Sequence, residues 1–103
     1  MVATATLASE FLERHVRPHR KKPEYVEQIL SRDVLPNWGR RDARTIAPHE
    51  VITLLDGIVA RGSPVQANRV AGVLSQMFRF GIHRQIVADS PVKLLFRPGG
   101  QES

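Results

Sequence analysis

The sequence predicts an all-α fold: four helices closed by a short C-terminal helical turn. Three observations carry that prediction. Apolar residues recur at helical spacing in four stretches, each bounded by proline, glycine or a potential capping hydroxyl. No stretch shows the strict apolar/polar alternation of a half-buried strand, and no repeat with a period of roughly 20 to 50 residues is present. The 103 residues, 42% hydrophobic and 24% charged, suit one soluble domain with a single modest core.

The best-marked helix is the fourth, over residues 63–84. Ser63 is placed to cap its free amides, and Pro64 suits the first helical position, where no amide donor is needed. Ala67, Val70, Ala71, Leu74, Met77, Phe78, Gly81 and Ile82 share one arc, which should seat the helix on the core. Roughly opposite lie Asn68, Arg69, Gly72, Ser75, Gln76, Arg79 and His83, a strip of hydrogen-bonding and cationic groups without a carboxylate. Gly72 is a place where another backbone could come close. The strip is either a solvated surface or a working one. Val73 and Phe80 form a side strip expected to pack on the third helix, though a protein-interaction bundle would use the same residues.

The first helix should be capped by Thr4 or Thr6, bury Leu7, Ala8, Phe11, Leu12, His15 and Val16, and stop near Arg17 because Pro18 follows. The run His19-Arg20-Lys21-Lys22, with Arg14 and Arg17 upstream, is the strongest local cationic signal; it is a solvated loop or a phosphate contact. Pro23-Glu24 opens the second helix, with Tyr25, Val26, Ile29 and Leu30 inward and Glu27, Gln28, Ser31 and Arg32 outward. It should stop near Leu35, before Pro36 and Gly39. Trp38, in the turn that follows, is expected to plug the core rather than stack on a base. Arg40, Arg41 and Arg44 form a second basic patch interrupted by Asp42.

The third helix, about Pro48 to Arg61 and closed by Gly62, should bury Val51, Ile52, Leu54, Leu55, Ile58 and Val59. Its outward Glu50, Thr53 and Asp56 mark it as scaffold facing away from a polyanion. After the fourth helix, Gln85 to Asp89 reads as a turn, Ser90 to Leu95 as a capped helical turn that latches the bundle, and Arg97 to Ser103 as linker.

Fifteen Lys and Arg against ten Asp and Glu give a net charge of +5 and a pI near 10.7. That balance favours an anionic partner, nucleic acid ahead of a membrane surface. The absence of a long apolar run or secretion signal points to the cytoplasm. Without cysteine, disulfides, thiol nucleophiles and thiolate-bound zinc are excluded. His15, His19, His49 and His83 offer no metal set by spacing, no Gly-rich phosphate loop is present, and no convergent catalytic groups stand out. Neither a catalytic residue nor a metal or cofactor is therefore expected.

Several ordered segments carry a resemblance. They are Ser31-Arg32-Asp33-Val34-Leu35-Pro36-Asn37-Trp38-Gly39, Arg44-Thr45-Ile46, Pro64-Val65-Gln66-Ala67-Asn68-Arg69, and Phe78-Arg79-Phe80-Gly81-Ile82 leading to Asp89-Ser90-Pro91. Together, over about residues 4–96, they resemble the core-type DNA-binding domain of phage-type integrases, the N-terminal helical domain of tyrosine recombinases. Ser90, where Asn is common, and Gly81, where Ala is usual, depart from the pattern. The resemblance implies a four-helix orthogonal, SAM-like bundle over residues 6–96, a lead-in tail over 1–5, and a linker over 97–103 toward a catalytic domain. It also implies that the arginine, histidine and tyrosine chemistry resides in that second domain, and none of it maps here.

The implied partner is double-stranded DNA, with the parent enzyme a multimer on DNA and the isolated domain a monomer. Asn68, Arg69, Gln76, Arg79 and His83 on the fourth helix, with Gln28 and Arg32 on the second, are the candidates for base edges or backbone. Arg20, Lys21, Lys22, Arg40, Arg41 and Arg44 are the candidates for phosphates. A stand-alone helical DNA-binding regulator and a protein-interaction bundle remain the alternatives.

Overall fold

Two prolines determine how the first half of the chain is built. In the computed structural model, which describes residues 2–92, Pro18 and Pro36 lie inside helices that the sequence predicts to end just before them. Proline lacks an N–H, and its ring crowds the carbonyl four residues back. In each helix the residue before the proline donates one residue further back than in an α-helix: Arg17 N–H to the Leu12 carbonyl, Leu35 N–H to the Leu30 carbonyl. The resulting π turns, Leu12–Val16 and Leu30–Val34, widen the coil where the ring needs room.

Helix α1 therefore spans residues 4–19 as Thr4–Phe11, the first π turn and Arg17–His19. Helix α2 spans 23–38 as Pro23–Ile29, the second π turn and Leu35–Trp38. A single 3₁₀ turn, Ala43–Thr45, leads to α3, Pro48–Ala60, and α4, Pro64–His83. The all-helical four-helix bundle expected from the sequence is the fold found; among the described residues the only extended pairing is one bridge, Ala3 to Asp42.

The helix ends use different groups from those expected. Thr4 is the first residue of α1, and its hydroxyl donates to the Arg41 carbonyl at 2.9 Å instead of capping. Its N–H meets the same carbonyl at 2.7 Å, and Ala43 N–H reaches Val2 O at 2.8 Å. Residues 2–5 are thereby tied to the segment after α2, and Thr4 is fully buried with both its donors satisfied. Ser63 stands at the N-cap of α4 without a side-chain cap; its carbonyl accepts Ala67 N–H at 3.0 Å and its own N–H donates to the Ile58 carbonyl at 3.3 Å. At α3, Glu50 reaches back to Ala47 N–H at 3.1 Å. Gly62 closes that helix with φ +86°, a conformation only glycine adopts without strain. Ser90 Oγ accepts Val92 N–H at 3.1 Å, and the remainder of the expected C-terminal turn, residues 93–95, lies outside the described residues.

Helix α4 is the axle of the core. Ala67, Val70, Ala71, Val73, Leu74, Met77, Phe78 and Gly81 are buried along it, and it packs against α1, α2 and α3. Leu7, Phe11, Val26, Leu30, Val34 and Val51 complete the interior. Gly81 marks the tightest approach: a Cβ there would lie 3.1 Å from Val87 Cγ2 and 3.2 Å from Leu7 Cδ1. Glycine in place of the more usual alanine thus lets α1 and the post-α4 turn close on the helix. Among the described residues, nothing outside its own helix comes within 4 Å of where a Cβ on Gly72 would lie.

Four residues expected inside are on the surface: Tyr25, Ile52, Val59 and Ile82. For Ile52 and Val59 the reason is that α3 packs chiefly against α4 alone, and a single partner covers a narrow stripe centred on Val51 and Ile58. His15 is exposed as well. Trp38 is buried, as its plugging role required, and Val73 is core. Phe80 packs on α1 rather than α3, with its ring 5.7 Å from that of Phe11. Replacing Leu74, which is completely buried, by alanine should cost about 2–5 kcal/mol. Urea unfolding should register this as a lower midpoint with an unchanged slope.

Candidate nucleic-acid interface

The amphipathic spacing of α4 that buries one flank turns the opposite flank outward. Asn68, Arg69, Arg79 and His83 are exposed there, and Gln76 is half-buried. Gln76 Oε1 accepts from Arg20 Nη2 at 2.8 Å, a bond that joins the first basic run to α4 across 56 residues of chain. His15, Gln76, Arg79, Phe80 and His83 line a recess of about 330 Å³. Its wall is aromatic: Phe11 stacks on His15 at 5.5 Å, His15 lies 5.2 Å from His19 and 6.2 Å from Phe80, and the Arg84 guanidinium sits 5.9 Å above Phe80.

Between α2 and α4 runs a groove of about 800 Å³ lined by Tyr25, Gln28, Ile29, Arg32, Asp33, Arg61, Ser63, Gln66 and Arg69. Gln28 and Arg32 are thus brought to Arg69, as a shared face demands. Tyr25 lines this groove and also the surface formed by His19, Arg20, Lys21 and Lys22. The α2–α4 groove and the first basic run therefore adjoin, and Arg20 links that run to Gln76 on α4.

The second basic patch does not form one surface. Arg41 makes a two-pronged contact with Glu50, and Arg44 pairs with Asp42 at 3.1 Å. Arg41 lines a cleft of about 640 Å³ with Arg32, Trp38, Glu50 and Arg61. Arg44 lies in another recess with Ile46, Pro48 and residues 87–91. Arg40 is exposed and lines none of these. On α1, Arg14 pairs with Glu10 and Arg17 with Glu13 and Glu27.

These pairings shift titrations in the expected directions. Hydrogen bonding from Arg41, reinforced by the Ala47 N–H, lowers the Glu50 pKa to about 2. Arg44 depresses Asp42 by side-chain and backbone hydrogen bonds. Arg41, Arg44 and Arg17 are raised by Glu50, Asp42 and Glu13 respectively. In contrast, Arg32, Arg69 and Arg79 make no ion pair within the described residues.

Sequence reasoning missed four groove residues. Arg61 was placed on a helix read as pure scaffold; its position just before the Gly62 reversal, which points the chain back to the start of α4, was a usable signal. Tyr25 was read as core from its spacing. Asp33 and Gln66 meet at 2.9 Å across 33 residues of chain, and nothing local in the sequence announces such a pair.

Residues 5–96 match the family described as phage integrase central domain. The chain belongs to that family. The integrase domain is also similar to a solution NMR structure of a domain described as coming from a phage integrase protein of Nitrosospira multiformis. That likeness has a TM-score of 0.82 and 28% identity, and covers 99% of this chain and 87% of the other. No curated protein matches it. The integrase domain is accordingly a recombinase domain. None of its described helices is long and apolar enough to cross a membrane, and no group of three or more His, Cys, Asp or Glu among the described residues is placed to hold a metal ion.

The Glu50 pair makes a pH prediction. Because its folded pKa lies below the ordinary 4.5, its stabilising effect is present above about 4.5 and is lost as pH falls through about 2. Glu50→Gln should lower Tm near neutral pH, and the difference from wild type should shrink steadily on acidification across that window, as followed by thermal melts.

Proposed function

We propose that this integrase domain is the non-catalytic DNA-binding part of a site-specific recombinase and grips one side of the core recombination site. The observation that supports it best is the distribution of partners among the cations. Carboxylates hold Arg14, Arg17, Arg41 and Arg44. Among the described residues no carboxylate pairs with Arg32, Arg69 or Arg79 on the α2–α4 face, beside Gln28, Asn68, Gln76 and His83. Guanidinium and amide groups on a helix flank are the types that engage purine edges in a major groove.

In this reading α4 presents Asn68, Arg69, Gln76, Arg79 and His83 to a groove, and α2 adds Gln28 and Arg32. Arg20, Lys21 and Lys22 contact phosphates beside them and fix the register. Arg40 supplies a further exposed cation, whereas Arg41 and Arg44 would have to leave Glu50 and Asp42 to join. Strand cutting and rejoining belong to a separate domain of the parent enzyme, which works in the cytoplasm as a multimer on DNA. The isolated domain is a monomer and binds more weakly than the tethered pair, because the second contact no longer comes at high effective concentration. A protein-interaction reading loses its proposed strip, since Val73 is buried and Phe80 lies against Phe11.

Fluorescence anisotropy with duplex DNA at several salt concentrations tests the proposal. With about three to six phosphates engaged, log K should fall against log salt with a slope of about −0.9 per contact. Arg69→Ala and Arg79→Ala should weaken binding while the circular dichroism melt stays unchanged. A flat salt response overturns the reading, and so does unfolding caused by either arginine substitution.

A further inference from the structure

Among the described residues, Asp33 is the single carboxylate lining the groove between α2 and α4, beside Arg32, Arg61 and Arg69. Its side chain is only 9% exposed, so it must find partners inside the protein. It finds two, on two other elements. Oδ1 accepts from Arg61 Nη2 at 3.2 Å, just past the end of α3, and Oδ2 accepts from Gln66 Nε2 at 2.9 Å, in the first turn of α4.

Both partners are changed by the contact in what they can offer a ligand. Arg61, whose own side chain is 61% exposed, would be free to reach a phosphate were it not held. Gln66 commits one of its two amide N–H groups to Asp33, which fixes the orientation of the amide and leaves Oε1 available as an acceptor beside the second N–H. An amide oxygen accepts from adenine N6 or cytosine N4 and has nothing to give a phosphate oxygen, itself an acceptor.

We propose that Asp33 is a positioning residue for duplex recognition: it withholds Arg61 from the phosphates and fixes the orientation of the Gln66 amide beside the cations Arg32 and Arg69. This rests on the DNA-binding reading above. Its effect is to trade indiscriminate backbone affinity for selectivity at base edges.

The experiment compares the salt dependence of binding to a mixed-sequence duplex for wild type, Asp33→Asn, Arg61→Gln and the double variant. Asp33→Asn should release Arg61 and steepen the slope by about 0.9, the signature of one added phosphate contact. Arg61→Gln alone should leave the slope unchanged, and in that background Asp33→Asn should leave the slope unchanged as well. A merely structural role would weaken binding without steepening the slope, and that result overturns the proposal. Equal steepening in both backgrounds also overturns it, since only overall charge would then matter. Should Asp33→Asn fail to fold, Arg61→Gln decides: a slope shallower by about 0.9 shows that Arg61 already contacts phosphate and sinks the idea, while an unchanged slope supports it. A wild-type domain with no salt-dependent binding removes the DNA-binding reading itself, whereas a binding wild type with an unresponsive Asp33→Asn removes this inference alone.

Discussion

The burial of one flank of α4 is the constraint on which the rest of the structure depends. Eight residues from Ala67 to Gly81 are enclosed by the other three helices and the turn after α4. Apolar burial at roughly 25 cal/mol per Å² dominates the stability of a domain this small. Once that flank is committed, helix geometry sends Asn68, Arg69, Gln76, Arg79 and His83 to the other side. The orientation of the candidate interface is therefore a by-product of core packing, and it costs the protein no separate ordering of those side chains' backbone. Gly81 sharpens the arrangement: any Cβ would push on Leu7 and Val87, the residues that bring α1 and the C-terminal turn onto the same axle.

Charge allocation is the second layer. A surface ion pair contributes little stability, so the pairs of Arg41 with Glu50 and Arg44 with Asp42 are better understood by where they put charge than by how strongly they hold the fold. Glu50 also supplies the N-terminus of α3 with an acceptor for Ala47 N–H, and Asp42 caps the 3₁₀ turn through Arg44 N–H at 3.0 Å. Each carboxylate thus finishes a backbone end and engages an arginine at once. The net charge of +5 is in this way distributed unevenly, with uncommitted guanidinium groups concentrated along α2 and α4. Within that concentration Asp33 is the exception.

Much of this was legible in the sequence because it is local. The period of α4, the capacity of Pro64 to start it and of Gly62 to end its predecessor, and the division of α4 into apolar and polar flanks all follow from spacing. What escaped was set by tertiary neighbours. The width of α3's buried stripe depends on how many helices lie against it, so Ile52 and Val59 were misplaced. The split of the second basic patch depends on which carboxylates lie within reach: Arg41 finds Glu50 nine residues on, while Arg44 turns back to Asp42. Thr4 and Ser63 look alike as caps in sequence, yet Thr4 is drawn to the Arg41 carbonyl because residues 2–5 run against the segment following α2.

The prolines are the most instructive departure, because the local rule failed where the candidate interface is assembled. Had Pro18 ended α1, the turn carrying His19 would not be helical, and His15 and His19, four residues apart, would not share one helix face. The π turn keeps the coil going. It places the His19 ring 5.2 Å from that of His15 and closes the helix with Arg20 N–H on the Val16 carbonyl at 2.9 Å, which sets Arg20 off toward Gln76. The same device at Pro36 extends α2 to Trp38, seating the indole in the core next to the start of the second basic segment. A π turn is a less favourable coil than an α turn, and both occur just upstream of cationic segments flanking α2. The irregularity is therefore located where a proline is carried inside a continuing helix, and the regular coil is kept for α3 and α4, whose prolines stand in the first turn, where no amide donor is needed.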